Sequence, residues 1–232
     1  MITNRQRLSL ELVFNILLVL LDAFVILMLM FNNGDGFSFT FLMYFTHYSS
    51  LCLLVSSALQ IYGTCLEIRE KKRRIIYPIR VFRLMSVSAS ILVTFVVVFL
   101  LIPLANFEGV GKMLFTKTNF LEYIVCPLIA FVSFIHLGDY REFEVKEAAF
   151  ATLPTLLYAI VTTTLNAFKV IRGPYPFLYV YEQPVWLSCF FFIVILAISF
   201  MISNVLVILS HKDSLVTKIR KKGTDEKRDE AS

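Results

Sequence analysis

The stretch LSLELVFNILLVLLDAFVILMLMF, running from Leu8 to Phe31, decides the fold. As a helix rising about 1.5 Å per residue it outreaches the roughly 30 Å hydrocarbon core of a bilayer. Arg5 and Arg7 precede it in the manner of a signal peptide. The run is too long for the apolar region of a signal peptide, about 7–15 residues, and no small-residue cleavage site follows, so it reads as a retained first transmembrane helix.

Working outward, five more apolar windows of spanning length follow: Phe41–Tyr62, Val81–Leu104, Phe120–Leu137, Ala148–Phe168 and Leu187–Leu209. Asn32-Asn33-Gly34-Asp35-Gly36 forms a turn between the first two, because Gly and Asn tolerate positive φ. The basic stretch Arg69 to Arg74 separates spans two and three, and Asp139–Glu147 separates four and five. The composition agrees. Of 232 residues 58% are apolar and 17% charged, against about 25% charged in a soluble domain. The predicted fold class is therefore all-α: a polytopic six-transmembrane-helix bundle in one domain, residues 1–210. A charged tail, 211–232, is expected to begin helical and then lose order.

The charges set the topology. Seventeen of the 22 Lys and Arg flank one set of ends: Arg5 and Arg7, six from Arg69 to Arg80, Arg141, Lys146 and seven in the tail. The opposite loops hold Lys112, Lys117, Lys169 and Arg172, with Arg83 just inside span three. Positive residues collect on the cytoplasmic side, so both termini are predicted there. The pI near 9 then reflects topology and attraction to anionic lipid heads, which removes the case for nucleic-acid binding. The four Cys and three His show no metal-ligand spacing, and no metal or other cofactor is expected. Localisation follows as multi-pass integral membrane: the plasma membrane of a bacterium, or the endoplasmic reticulum or plasma membrane of a eukaryote.

Function is sought among polar residues inside the spans, where a charge costs about 2.5–3.5 kcal/mol at the centre. Span one carries Asn15 and Asp22, with Glu11 near enough to its end to reach the headgroups. Thr46 in span two lies about five residues, or ~7 Å, below the outer boundary. Glu122 in span four is slightly shallower, and Thr162 to Asn166 in span five reach a similar level. Thr46, Ser49 and Ser50 share one helical face, as do Asn119, Glu122 and Tyr123 with Cys126 one turn on. His47 points about 100° away from Thr46, toward Ser50. Asp22 lies deeper, as a structural hydrogen-bonder or a partner for a cation. The loop Lys169–Trp186 roofs this level with Tyr175, Tyr179, Tyr181 and Trp186, and Arg172 is its cation best placed for an anionic lipid group. The plainer reading is that the Ser and Thr satisfy backbone carbonyls or join helices, and that the aromatic loop anchors at the interface.

Three segments carry a resemblance. Phe45-Thr46-His47-Tyr48-Ser49 matches a Phe-Thr-x-x-Ser signature. Asn119-Phe120-Leu121-Glu122-Tyr123, followed by Pro127-Leu128, matches an Asn-x-Leu-x-His-x-x-x-Pro-Leu pattern without its His. Tyr175-Pro176-Phe177-Leu178 matches a Tyr-Pro-Phe-Leu loop. In this the chain resembles the six-span androgen-induced-gene and androgen-dependent-regulator family of intramembrane hydrolases and its bacterial relatives. The resemblance implies a Thr nucleophile acting with a His on fatty-acid esters, with membrane lipids as partners. Thr46 falls on the nucleophile position. Strict spacing puts Tyr123 on the His position, and a one-residue slip puts Glu122 there. A Tyr with a pKa near ~10 is a poor base, so Glu122 becomes the expected base or orienter. The expected site is therefore Thr46 and Glu122 as catalytic residues, with Arg172, Tyr175, Asn119, Ser50, Tyr123 and Cys126 lining the substrate. Two other readings are a lipid-binding protein that has lost its base, and a small transporter relaying protons through Asp22 and Glu122. The second fits less well, because no inverted repeat is visible.

Overall fold

The computed structural model describes residues 4–31, 43–70, 76–104, 114–115, 118–138, 140, 143–173, 175 and 178–229, and side chains as far as 211. The Asn32–Gly36 turn, Lys112, Lys117, Asp139, Arg141, Pro176-Phe177 and the basic residues 71–74 lie outside the described residues. Among those described, all regular structure is helical. We number α1 Asn4–Phe31, α2 Phe45–Glu70 and α3 Tyr77–Val96, the last continued by a π-helical turn Val97–Leu101 and a final turn Ile102–Leu104. α4 is Leu121–Leu137, α5 is Val145–Ala151 with Leu153–Ala167, and α6 is Val185–Asp229. Five of these are long and apolar enough to cross a membrane, and α4 is a shorter apolar helix. The helical start expected of the tail is present, α6 running on as far as Asp229. Residues 212–229 contain no Pro and one Gly, so nothing in the sequence breaks the hydrogen-bonded ladder.

The helices bury polarity and expose hydrocarbon. Asn15, Asp22, Ser56, Ser57, Ser88, Ser199 and Ser203 are all 0% exposed, whereas Leu20 is 63% and Phe99 65% exposed. Water would drive those apolar faces together; a lipid surround does not. Serine contacts hold the helices close: Ser88 pairs with Ser203 across α3 and α6 at 2.7 Å, and Thr155 with Ser199 across α5 and α6 at 3.2 Å. Each such contact contributes only about 0.6 kcal/mol, up to ~1.7. They set helix spacing more than stability.

Proline shapes α4. Pro127 has no N–H to offer the carbonyl of Tyr123 one turn back. The preceding turn, Leu121–Val125, opens into a π-helix, and the Thr94 hydroxyl of α3 donates to that orphaned carbonyl at 2.6 Å. This one contact fixes the rotation of the segment bearing Glu122. α5 ends where Lys169 takes φ 57°, with the Val170 N–H bonded to the Leu165 carbonyl at 2.9 Å, and the chain turns into the loop that carries Tyr175.

The inner half of the bundle centres on Arg83, 1% exposed, which donates to Ser57 at 2.7 Å and Ser56 at 3.4 Å within electrostatic reach of Glu11 and Asp22. Glu11 does not reach the headgroups: it is buried and accepts from Gln60 at 2.6 Å, because α1 turns that face onto α2. Removing one member of such a set leaves uncompensated buried charge. Arg83→Ala is expected to lower stability by about 3–5 kcal/mol, and Ser88→Ala by about 0.6, in denaturant titrations in detergent. Equal small losses would show that Arg83 is not holding the acids.

Candidate functional site

The first turn of α2 presents its polar residues in two directions. On one side His47 Nδ1 lies 2.7 Å from Glu122 Oε1, and the Ser50 hydroxyl donates to the same oxygen at 3.1 Å. His47 and Ser50 stand three residues apart and therefore share the face turned to α4. Glu122 is 2% exposed, and its second oxygen, Oε2, has no hydrogen-bond partner among the described residues. One turn on, the Cys126 thiol faces Asp22, whose carboxylate is fully buried.

On the other side Thr46, 5% exposed, points toward α3 and α5, and its backbone N–H donates to the Tyr175 hydroxyl at 3.4 Å. Ser49 is occupied locally, donating to the Thr46 carbonyl at 2.7 Å. Thr46 and Tyr175 are among the residues lining an apolar cleft of about 50 Å³. Leu92, Val96 and Val97 of α3 form one wall, Tyr158 and Ala159 of α5 another, and Ile195 of α6 a third. The Tyr158 hydroxyl is turned away from its centre, donating to the Met43 carbonyl at 2.6 Å. Burial pushes the Tyr175 phenol up to about 12, so it is neutral near pH 7.

Tyr44 joins the two sides. Its ring meets His47 edge-on at 5.6 Å between centroids and Tyr175 at 6.1 Å. The sequence-predicted residues thus fall into a His47–Ser50–Glu122 cluster and a Thr46–Tyr175 pair. Tyr123 packs with the outer core around Phe45 and Tyr175, close to the latter's phenol. Asn119 is half-buried at the start of the π-helical turn. Arg172 stands apart: it is exposed, pairs with Glu182 at 2.8 Å and stacks over Tyr179 at 4.6 Å, so its charge is met within the loop. Among the described residues no group of three or more His, Cys, Asp or Glu is arranged to hold a metal ion.

Sequence reasoning placed His47 at the edge of the site and passed over Tyr44 and Tyr158. The i, i+3 spacing of His47 and Ser50 was the available signal for the first. The positions of the two tyrosines depend on how α5 and the loop fold over α2, which spacing within one helix does not carry. In chemical terms the cluster is a carboxylate that orients an imidazole, and the pair is a threonine beside a phenol. No family model matches the chain, and no curated protein and no solved structure matches it.

The pairing is testable by a double-mutant cycle. His47→Ala and Glu122→Ala together are expected to be less destabilising than the sum of the single losses, with a coupling of about 1–3 kcal/mol. Strictly additive losses would show that the two side chains do not support each other.

Proposed function

We propose that this chain is a six-span integral membrane protein with both termini in the cytoplasm, acting on the ester bonds of fatty-acyl lipids. The observation that carries this is the position of Thr46: a buried threonine lining an apolar cleft, with the Tyr175 phenol hydrogen-bonded to its backbone N–H. An acyl chain lying in the cleft brings its carbonyl carbon to the Thr46 hydroxyl and its carbonyl oxygen to the Tyr175 phenol. Thr46 Oγ attacks, a C–O bond forms, and the hydroxyl proton passes through a bridging water to His47, which stands on the neighbouring face of α2 and which Glu122 orients. The alcohol leaves with that proton, and water cleaves the acyl-threonine by the same route in reverse. Tyr175 stabilises the developing oxyanion, the role of a preorganised donor. The imidazole missing from the family's usual place in α4 is thus supplied from α2, one residue after the nucleophile.

The expected result is that a lipophilic serine-hydrolase probe labels the purified wild type. Thr46→Ala abolishes labelling, and His47→Ala and Glu122→Gln slow it by about 10²–10⁴-fold at unchanged expression. Labelling that survives Thr46→Ala rules out the nucleophile.

A second reading, lipid binding without turnover, is favoured by one observation: both hydrogen bonds to Glu122 come from His47 and Ser50, not from Thr46. Here a lipid copurifies with the wild type, remains chemically intact for hours, and is lost in a cleft-filling Ala159→Phe variant. Hydrolysis of that lipid by the wild type excludes this reading.

A further inference from the structure

A second apolar cavity, of about 300 Å³, lies on the flank of the bundle between α5 and α6. It shares Leu178 and Phe192 with the Thr46 cleft. The two are laid along matched stripes. On α6, Val185, Ser188, Cys189, Phe192, Ile193 and Leu196 fall at i, i+3, i+4, i+7, i+8 and i+11, one continuous face about 16 Å long. On α5, Thr155, Tyr158, Ala159 and Thr163 form the facing stripe. The inner end of this groove is Thr46. Its outer end opens among Val185, 72% exposed, Ile193, 65% exposed, and the exposed Cys189.

Leu178 is held at the junction by its own loop. Gly173 approaches so closely that a Cβ there would come within 2.7 Å of the Leu178 carbonyl oxygen, so only glycine lets the loop fold down over the groove. The junction between the cavities is therefore a leucine and a phenylalanine, one from a loop and one from a helix.

We infer that the α5–α6 groove is the lateral portal through which one acyl chain passes from the surrounding bilayer to Thr46, with Leu178 and Phe192 as its constriction. The inference rests on the proposed lipid-ester reading for its inner end. The occupant is a bilayer acyl chain because the outer end opens among exposed apolar side chains on the flank, and the groove is apolar along its helix stripes. A water-soluble substrate has no polar wall to follow there.

The test uses the full chain in phosphatidylcholine vesicles carrying a diazirine-labelled fatty-acid ester, with crosslinks mapped by peptide mass spectrometry. Crosslinks are expected on the peptides of Val185–Ile193 and Thr163. In a Cys65→Ser background, alkylating Cys189 with a bulky apolar maleimide is expected to reduce those crosslinks and the probe labelling of Thr46 by at least tenfold. Cys189→Ser given the same reagent retains both, and Phe192→Trp, which plugs the constriction, reproduces the loss of Thr46 labelling without any reagent. Crosslinks as heavy at outward-facing Leu20 and Phe99 as in the groove overturn the portal. So does Thr46 labelling that is unchanged by alkylation and by Phe192→Trp, a result that leaves the hydrolase reading standing. Groove crosslinks lost on alkylation while Thr46 is never labelled support the portal and remove the hydrolase reading.

Discussion

Inside a lipid-surrounded bundle every backbone carbonyl and buried charge must find its partner within the protein, and this constraint organises the whole chain. A soluble protein sends its leftover polar groups to water. Here the flanks are hydrocarbon, so the leftovers are turned inward. Arg83, Glu11, Asp22 and Gln60 gather in the inner half, and His47, Ser50 and Glu122 in the outer half. The magnitudes separate two roles. Serine pairs contribute tenths of a kcal/mol and space the helices, whereas stranding one of the buried charges costs about 3–5 kcal/mol. A few charged side chains thus constrain helix rotation beside the buried apolar clusters around Leu53 and Phe134 and around Phe45 and Leu92.

Pro127 shows how this constraint reaches the candidate site. It removes one donor from α4 and orphans one carbonyl. In water the defect would be solvated; in lipid it draws α3 in, through Thr94. The turn that relaxes to accommodate the proline is the turn that carries Glu122, so a break in a helix becomes the device that aims a carboxylate at α2. Pro78 has no such effect, because in the first turn of α3 its missing N–H would have had no partner anyway.

Much of the fold is legible in the sequence because hydrophobic length is a one-dimensional signal. The first apolar run predicts α1, and the structure begins that helix at Asn4, four residues before the apolar run. The other windows coincide with helices for the same reason. What the sequence does not carry is rotation about each axis. Glu11 reads as a headgroup contact by depth alone, but only the packing of α1 on α2 decides that it meets Gln60. Arg172 reads as a free cation for an anionic ligand, yet Glu182, ten residues on, folds back to it through the loop. Helical spacing does carry same-face relations within one element. It therefore finds Ser50 beside Glu122's partner His47, and it misses Tyr44, whose value lies in touching rings from two different elements.

The contact between α2 and α4 sets an imidazole against a buried carboxylate. An imidazole in a membrane interior needs an acceptor to fix its ring, and the nearest backbone is already bonded within its own helix. Placing the imidazole at position 47 lets α4 supply that acceptor through Glu122, with Ser50 bonded to the same oxygen. On the proposed hydrolase reading, Glu122 serves His47 as a buried aspartate serves the histidine of a catalytic triad: it holds the ring and compensates the charge that forms when the ring takes a proton. Glu122 Oε2 remains without a hydrogen bond among the described residues, which leaves the carboxylate freer to respond to that charge than a fully bonded one.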